Sequence, residues 1–418
     1  MTSLMSLRPL AAAVVGASAC ALAPTAFADP APPFPALLAQ ARASAPRPAE
    51  SLAQVAEAEA RARQAATLPN PILSVEVENF AGSGPFRDTG AAETTASVAQ
   101  VIELGGKRSE RIAAGRAAVG AARAGAALSQ ADFAFDLAKA YVEAEASERR
   151  LEIVAETLRL AEEDSRIARA LVDAGKEADI RSVQVRAALL SARAALDKAR
   201  AARVEAFGRL TALSGSTASL TSIPVSLLAH AEQQEVAPQI DPMQSPAYRA
   251  AAAARDAAAR QVRVERTRSV PDVTLSVGGR RFEADDASAL VAGLSVPLPL
   301  FDRNRESITA SRAALTAAEA RLNAARLEAL AQASSAITRF ETSQTRLQAA
   351  QAGEDAAGEA ARLARLGYEG GKLSLLELLT ARRAYAEARA QTLEAQLARL
   401  NAEAALARLR GVDPFGDL

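Results

Sequence analysis

The sequence contains little of the chemistry that catalytic and metal sites use. Its 418 residues include one cysteine, one histidine and no tryptophan. Soft-metal sites need several Cys or His ligands, and a single His leaves little for a catalytic triad. Gly105-Gly106-Lys107 lacks the preceding glycine and the spacing of a phosphate-binding loop. We therefore expect no enzymatic activity, no cofactor and no metal site, with His230 an ordinary loop residue.

The sequence also has few bulky aromatic side chains and no excess of charge of either sign. Aromatic residues make up 4% of the chain, and 49 basic residues balance 49 acidic ones. The Ala, Arg, Leu and Glu that dominate instead are typical of long helices with thin interfaces of small residues. The balanced, interspersed charge leaves no basic patch, so a nucleic-acid partner is not expected.

The N-terminus has the three parts of a signal peptide: Arg8, an apolar stretch, and Ala26-Phe27-Ala28 before the cleavage point. Residues 1–28 are predicted to be removed, and Cys20 with them. The alternative is cleavage before Cys20 followed by lipidation, although the preceding Ala17-Ser18-Ala19 lacks the usual large apolar residue. No later run approaches the roughly 18 apolar residues of a membrane-spanning helix.

Two glycine turns indicate an internal duplication. Gly175-Lys176 and Gly371-Lys372 are 196 residues apart, as are Gly215 and Gly411. Glycine adopts the left-handed conformation that closes a helix, so each turn predicts a helical hairpin. An apolar seam with spacings of three and four follows each turn, as required for a partner helix. The seam residues are Ile180, Val183, Ala187, Leu190 and Ala194, then Leu393, Leu397, Leu400 and Ala404.

Four short segments alternate apolar and polar residues with a period of two, which predicts strands at about 72–80, 94–104, 272–282 and 289–300. The expected organisation is a first repeat at 29–213, a proline-rich connector at 214–246 and a second repeat at 247–418. The helical hairpins are expected at about 106–213 and 304–410. Without proline between Gly106 and Val172, the first rod should be on the order of 100 Å long.

The strands raise a problem of closure. Four strands cannot form a barrel, and open sheet edges cannot lie in lipid. Three chains would supply twelve strands, an even number within the range of outer-membrane barrels. The predicted fold class is therefore an α+β membrane protein: a duplicated helix, β-hairpin and helical-hairpin unit, assembled as a trimeric 12-stranded barrel that continues into a coiled-coil tunnel.

Two motifs carry a resemblance that covers nearly the whole mature chain. The first is Leu68-Pro69-Asn70-Pro71 with the following Glu76–Phe80 segment, and the second is Glu103-Leu104-Gly105-Gly106-Lys107-Arg108 at a strand-to-helix junction. Together with the duplication, they resemble the TolC-like outer-membrane efflux channels, and in particular the CzcC-like branch.

The resemblance implies a homotrimer in outer-membrane lipid with a tunnel extending into the periplasm. It also implies docking to a periplasmic adaptor and an inner-membrane pump of the resistance–nodulation–division type. The expected cargo is a divalent heavy-metal cation such as cobalt, zinc, cadmium or copper. The hairpin turns would form the tip that contacts the adaptor, through Val172, Asp173, Gly175, Lys176, Gly367, Tyr368, Gly371, Lys372 and Ser374.

Arg181 and Glu377 occupy equivalent positions after the two turns. Family members often carry an acidic residue at the position of Glu377, and Arg181 departs from that pattern. We hypothesise that the two residues pair across neighbouring hairpins and hold the entrance closed. Two solvated charges on a helix exterior are the alternative.

Three other functions stay open at this point. The channel could export small organic compounds instead of metal ions. The chain could also be a periplasmic adaptor, or a coiled-coil spacer without channel activity. Adaptors contain one helical hairpin flanked by compact β-domains, whereas this chain has two hairpins and little else.

Overall fold

A computed structural model describes residues 29–233 and 237–416. The predicted signal peptide, including Cys20, lies outside them. The helices are α1 (Phe34–Ser44), α2 (Pro46–Ala65), α3 (Lys107–Asp173), α4 (Asp179–Ser214), α5 (Pro246–Thr267), α6 (Arg305–Glu369) and α7 (Leu375–Arg410). The strands are β1 (Asp29–Pro30), β2 (Ile72–Glu78), β3 (Glu93–Ile102), β4 (Leu220–Ser222), β5 (Val273–Phe282) and β6 (Ala287–Ser295).

Three strands end earlier than expected, and backbone chemistry explains two of these ends; the third is that of the strand expected at 94–104, which ends at Ile102. The strand expected at 289–300 ends at Ser295, because Pro297 and Pro299 have no N–H to donate to a neighbouring strand. The strand expected to reach residue 80 ends at Glu78, because Asn79 has a φ of 57° and leaves the extended conformation.

The long helices lie side by side in the order α4, α3, α7, α6. Helix α3 packs against α2, α4, α5 and α7, while α6 packs against α5 and α7. With 67 residues, α3 is about 100 Å long at 1.5 Å per residue. No helix in the described residues is both long and apolar enough to cross a membrane.

The four main strands form one antiparallel sheet in the order β2-β3-β5-β6. Its register aligns Val75, Ala96, Gly279 and Leu290 across the sheet. As a result, one face is mainly apolar, with Thr94, Gln100, Arg281 and Ser288 as its polar positions. Its exposed large apolar side chains are Leu73, Val75, Val77, Val98, Ile102, Leu275, Val277, Leu290 and Leu294.

The largest core lies midway along the rods and includes Phe34, Tyr141 and Phe415. The rings of Phe34 and Tyr141 meet edge to face with centroids 5.7 Å apart. Part of the connector joins this core through β4, which pairs in parallel with β1. Leu220, Leu227, Leu228 and Ala231 of the connector are therefore part of the folded core.

Glu145 attaches the connector to α3. Its carboxylate accepts hydrogen bonds from the hydroxyl of Ser226 (2.5 Å) and from the backbone N–H of Leu227 (2.9 Å) and Leu228 (3.3 Å). Burial raises the pKa of Glu145 although these bonds act to lower it. One carboxylate thus satisfies the N–H groups of two buried loop residues, Leu227 and Leu228, which would otherwise lack partners, and it also accepts from the hydroxyl of the exposed Ser226.

Candidate docking tip and conduit wall

The two hairpin turns have the same backbone geometry. Gly175 and Gly371 both have a φ of 67°, in the left-handed region that favours glycine. Lys176 N–H donates to the Leu171 carbonyl (2.8 Å), and Lys372 N–H donates to that of Gly367 (2.7 Å). Both turns are therefore Schellman motifs, which explains why a glycine occupies the same position in each.

The helices after the two turns begin differently. Ser374 and Glu377 form a capping box at the start of α7: the Glu377 carboxylate accepts from Ser374 N–H (2.7 Å), and Glu377 N–H donates to the Ser374 hydroxyl (3.3 Å). These bonds lower the pKa of Glu377. The equivalent N-cap of α4 is Ala178, which has no hydroxyl. The acidic residue at position 377 therefore has a local structural role that its counterpart Arg181 cannot perform.

Within one chain, Arg181 contacts its own helix neighbours. Its Nη1 donates to Gln184 Oε1 at 3.0 Å, and its Nε lies 3.7 Å from Glu177 Oε2. The structure does not bring Arg181 and Glu377 together in a single chain. An ion pair between Arg181 and Glu377 of a neighbouring hairpin would require Arg181 to give up its contacts with Gln184 and Glu177.

An apolar cluster just above the turns joins all four long helices. It consists of Ala168, Val185, Ala364, Leu375 and Leu378, each at most 7% exposed. The turns are therefore anchored together at one level, while the residues beyond the cluster reach solvent.

Most of the predicted tip residues are exposed. Asp173, Gly175, Lys176, Gly371, Lys372 and Ser374 are exposed, and Val172, Gly367 and Tyr368 are half-buried. Gly367 has a packing role, because a Cβ there would lie 2.7 Å from Leu373 Cδ1.

Ion pairs that the sequence did not reveal connect α3 with α7. Arg382 Nη1 lies 2.5 Å from Asp164 Oδ1, and both side chains are largely buried. Further from the tip, Arg389 pairs with Glu156 at 2.6 Å. These contacts tie the first hairpin to the second along one antiparallel interface.

The opposite face of the sheet carries most of its charged and hydroxyl side chains. Arg280 is the centre of a cluster in which its guanidinium contacts Glu78 (2.9 Å), Glu93 (2.9 Å) and the Thr95 hydroxyl (2.8 Å). Elsewhere on this face the hydroxyls of Ser74 and Ser97 are 2.9 Å apart. The sheet therefore has one face suited to lipid and one suited to water.

The strand-to-helix junction joins the two halves. Gly105 and Gly106 have φ of 66° and 74°, and a Cβ on Gly105 would lie 2.8 Å from Val270. Lys107 Nζ lies 2.7 Å from Asp272 Oδ1, just before β5. The Glu103–Arg108 motif is thus explained by a close approach of the halves and an ion pair between them.

In the described part of the chain, no group of three or more His, Cys, Asp or Glu side chains could hold a metal ion. His230 lies in a short 3₁₀ turn of the connector, with its Nε2 3.2 Å from Glu403 Oε1.

Long paired helices ending in turns at one end and an amphipathic sheet at the other define a TolC-like channel subunit. The chain matches the outer membrane efflux protein family over residues 37–216 and 243–412, and it belongs to that family. It is an outer-membrane efflux channel with a periplasmic tunnel, and it is not an enzyme.

Relatives and solved structures support this assignment. The chain is 43% identical to the nickel and cobalt resistance protein CnrC of Cupriavidus metallidurans, over 70% of each chain. It is 40% identical to the nickel-cobalt-cadmium resistance protein NccC of Alcaligenes xylosoxydans, over 67% of this chain and 64% of that one. Its fold is similar to that of CusC (TM-score 0.75, 19% identity, 91% and 92% coverage) and of VceC from Vibrio cholerae (TM-score 0.73, 21% identity, 91% and 96% coverage).

Proposed function

We propose that three copies of this chain form a passive conduit for export across the outer membrane. The observation that carries the proposal is the amphipathic sheet with two open edges, β2 and β6. Because the strands alternate in direction, β6 of one copy can pair antiparallel with β2 of the next. Twelve strands then close with the apolar face outward and the polar face lining the lumen.

The same proposal treats the chain as two copies of one unit. The order helix, two strands, long helix, return helix runs from α2 to α4 and again from α5 to α7. Residues 29–213 and 247–418 would be the two repeats, joined by 214–246.

For the cargo, we favour divalent heavy-metal cations. The support is the similarity to CnrC and NccC, whose names refer to resistance to nickel, cobalt and cadmium. Glu76 belongs to the polar face of the sheet, where its carboxylate would attract cations weakly enough to let them pass, whereas Glu78 on the same face is already paired with Arg280. Export of small organic compounds is the second candidate. A periplasmic adaptor or spacer is disfavoured by the family assignment.

The partners in this proposal are a periplasmic adaptor and an inner-membrane pump of the resistance–nodulation–division type, which would supply the energy. The exposed turns at Gly175-Lys176 and Gly371-Lys372 are the proposed docking surface. Their shared geometry would allow one adaptor element to contact either turn.

Opening at the tip is proposed to involve Arg181 and Glu377. If they pair between hairpins of neighbouring copies, Glu377→Gln should raise the single-channel conductance, because the carboxylate charge is lost while an acceptor oxygen for the cap remains. Ser374→Ala is the matched control, since it removes a capping hydroxyl without changing charge. Equal conductance for Glu377→Gln and the unmodified protein would reject the latch.

The conduit itself is tested by planar-bilayer conductance and particle mass on one detergent-purified sample. We expect discrete conductance steps from a particle of three chains, whereas a monomer without conductance would refute the proposal.

The cargo is tested by deleting the gene in its native host. Lost tolerance to cobalt, nickel, zinc or cadmium would support metal export, and lost tolerance to organic compounds alone would favour the second candidate.

A further inference from the structure

The seam predicted on α4 is exposed in the described part of the chain. Ile180 and Val183 are 64% and 65% exposed, and Leu190 is 56% exposed. Helix α4 instead packs against α3 through Val185, Ala192 and Ala199, which repeat every seven residues on the opposite side of the helix. Thus α4 has two seams, of which only one is covered by other described residues of the chain.

Helix α6 repeats this arrangement at the other side of the molecule. Its inward side includes Phe340, Ser343, Leu347 and Ala364, all of which are buried. The opposite side has a second seam with spacings of three and four, and it is exposed. Its apolar members are Ala349, Ala352, Ala356, Leu363 and Leu366.

The two exposed seams match when they are aligned on the hairpin turns. Ile180 is five residues after Gly175, and Leu366 is five residues before Gly371. Val183 and Leu363 are both eight residues from their turns, and Leu190 and Ala356 are both fifteen. Large side chains therefore face each other near the tip.

The two turns also lie at one level in the structure, so this alignment has a physical basis. Asp164 and Arg382 are each eleven residues from their own turns, and they form an ion pair. The cluster of Ala168, Ala364 and Leu378 gives the same result, because each is seven residues from its turn.

The acidic residues of the seams fit this alignment. Glu359 would face Ala187, next to Arg186 of the other helix. Asp197 would face Ala349, one turn from Arg346. Each acidic residue would thus have small side chains opposite it and a cation within reach, as expected at an antiparallel helix interface.

We infer that α4 of one copy packs antiparallel against α6 of the next, with Ile180 opposite Leu366 and Val183 opposite Leu363. The occupant of both exposed seams is thus a second copy of this chain. The inference rests on the proposed trimer and adds the surface and register that hold its periplasmic wall together. Alanines further along the seams would let the helix backbones approach closely.

The register can be tested by disulfide formation in the full chain purified from membranes. We expect Ile180→Cys with Leu366→Cys to form crosslinks between chains under mild oxidation, and Ala194→Cys with Ala352→Cys to do the same. Ile180→Cys with Glu359→Cys is the mismatched control, displaced by two helical turns, about 10 Å. A disulfide requires Cα atoms within about 7 Å, so the matched pairs should crosslink at least about ten-fold more. Single-cysteine variants measure any contribution of Cys20.

The outcomes separate this inference from the proposed function. A trimer in which the mismatched pair crosslinks instead would overturn the register. A trimer whose cysteines at 180 and 366 react freely with a maleimide, without crosslinking, would mean that the seams face water or an adaptor, and would overturn the interface. If the unmodified chain were a monomer, the proposed trimer itself would fail.

Discussion

Replacing Arg382 with alanine is expected to lower the free energy of unfolding by about 3–5 kcal/mol, because it leaves the Asp164 carboxylate buried without its cation. The Asp164 side chain is 8% exposed and that of Arg382 is 14% exposed. Arg61→Ala is the control, since Arg61 forms an exposed pair with Glu57 that contributes roughly 0–1 kcal/mol. Denaturant unfolding of the purified protein, followed by helical circular dichroism, measures both.

The loss of unfolding free energy in Arg382→Ala should depend on pH. Burial raises the pKa of Asp164 above its usual value, and Arg382 acts in the opposite direction. Without Arg382 the pKa should rise further. When folding raises the pKa of a group, that group stabilises the folded state at pH values below its pKa in the unfolded chain. This stabilisation is lost as the pH rises through the pKa of the group in the folded protein. The penalty of Arg382→Ala should therefore be largest at neutral pH and smaller at acid pH.

A second variant separates charge from packing. Asp164→Leu combined with Arg382→Met removes both charges and should recover most of the lost stability, because apolar residues of similar volume often replace a buried ion pair without cost. If the single and double variants were equally unstable at every pH, the buried charge would not be the cause.

Replacing Gly278 with alanine is expected to prevent normal pairing of β3 with β5. A Cβ at this position would lie 2.4 Å from the Ala96 carbonyl oxygen and 2.8 Å from Ser97 Cα. These are backbone atoms of the neighbouring strand, so they cannot move aside without disturbing the ladder. Because this pairing joins the two β-hairpins of the chain, we expect a loss of more than about 4 kcal/mol, in the range reserved for severe core defects.

The adjacent glycine provides a matched control. A Cβ on Gly279 would meet no atom within 4 Å, and Gly279 lies on the opposite, apolar face of the sheet. Gly279→Ala should therefore assemble and conduct like the unmodified protein, whereas Gly278→Ala should yield little of the proposed trimer on native gels. Similar yields for the two variants would show that the sheet tolerates the added methyl group.

The sequence predicted the secondary structure well where a local signal was strong. Period-two alternation located all four strands of the main sheet, and the Gly-Lys pairs marked both turns. Boundaries were wrong where a local rule was missed, as at Pro297 and Pro299. The capping box was also readable in advance, since Ser374 and Glu377 have the required spacing.

Periodicity alone could not say what each apolar seam packs against. Leu393, Leu400 and Ala404 are buried within the chain, whereas Ile180 and Val183 are exposed on its surface. The two seams look alike in sequence. The spacing of apolar residues predicts that one face of a helix is apolar, but it does not predict which element packs against that face.

The sequence by itself therefore determined the helices, the strands, the turns and the family. The tertiary structure alone decided which seam lies inside the chain and which charges are buried. Asp164 and Arg382 are 218 residues apart, and no local pattern relates them. They meet because two long helices start from one sheet and turn at the same level, so equal distances from two glycine turns bring distant residues together.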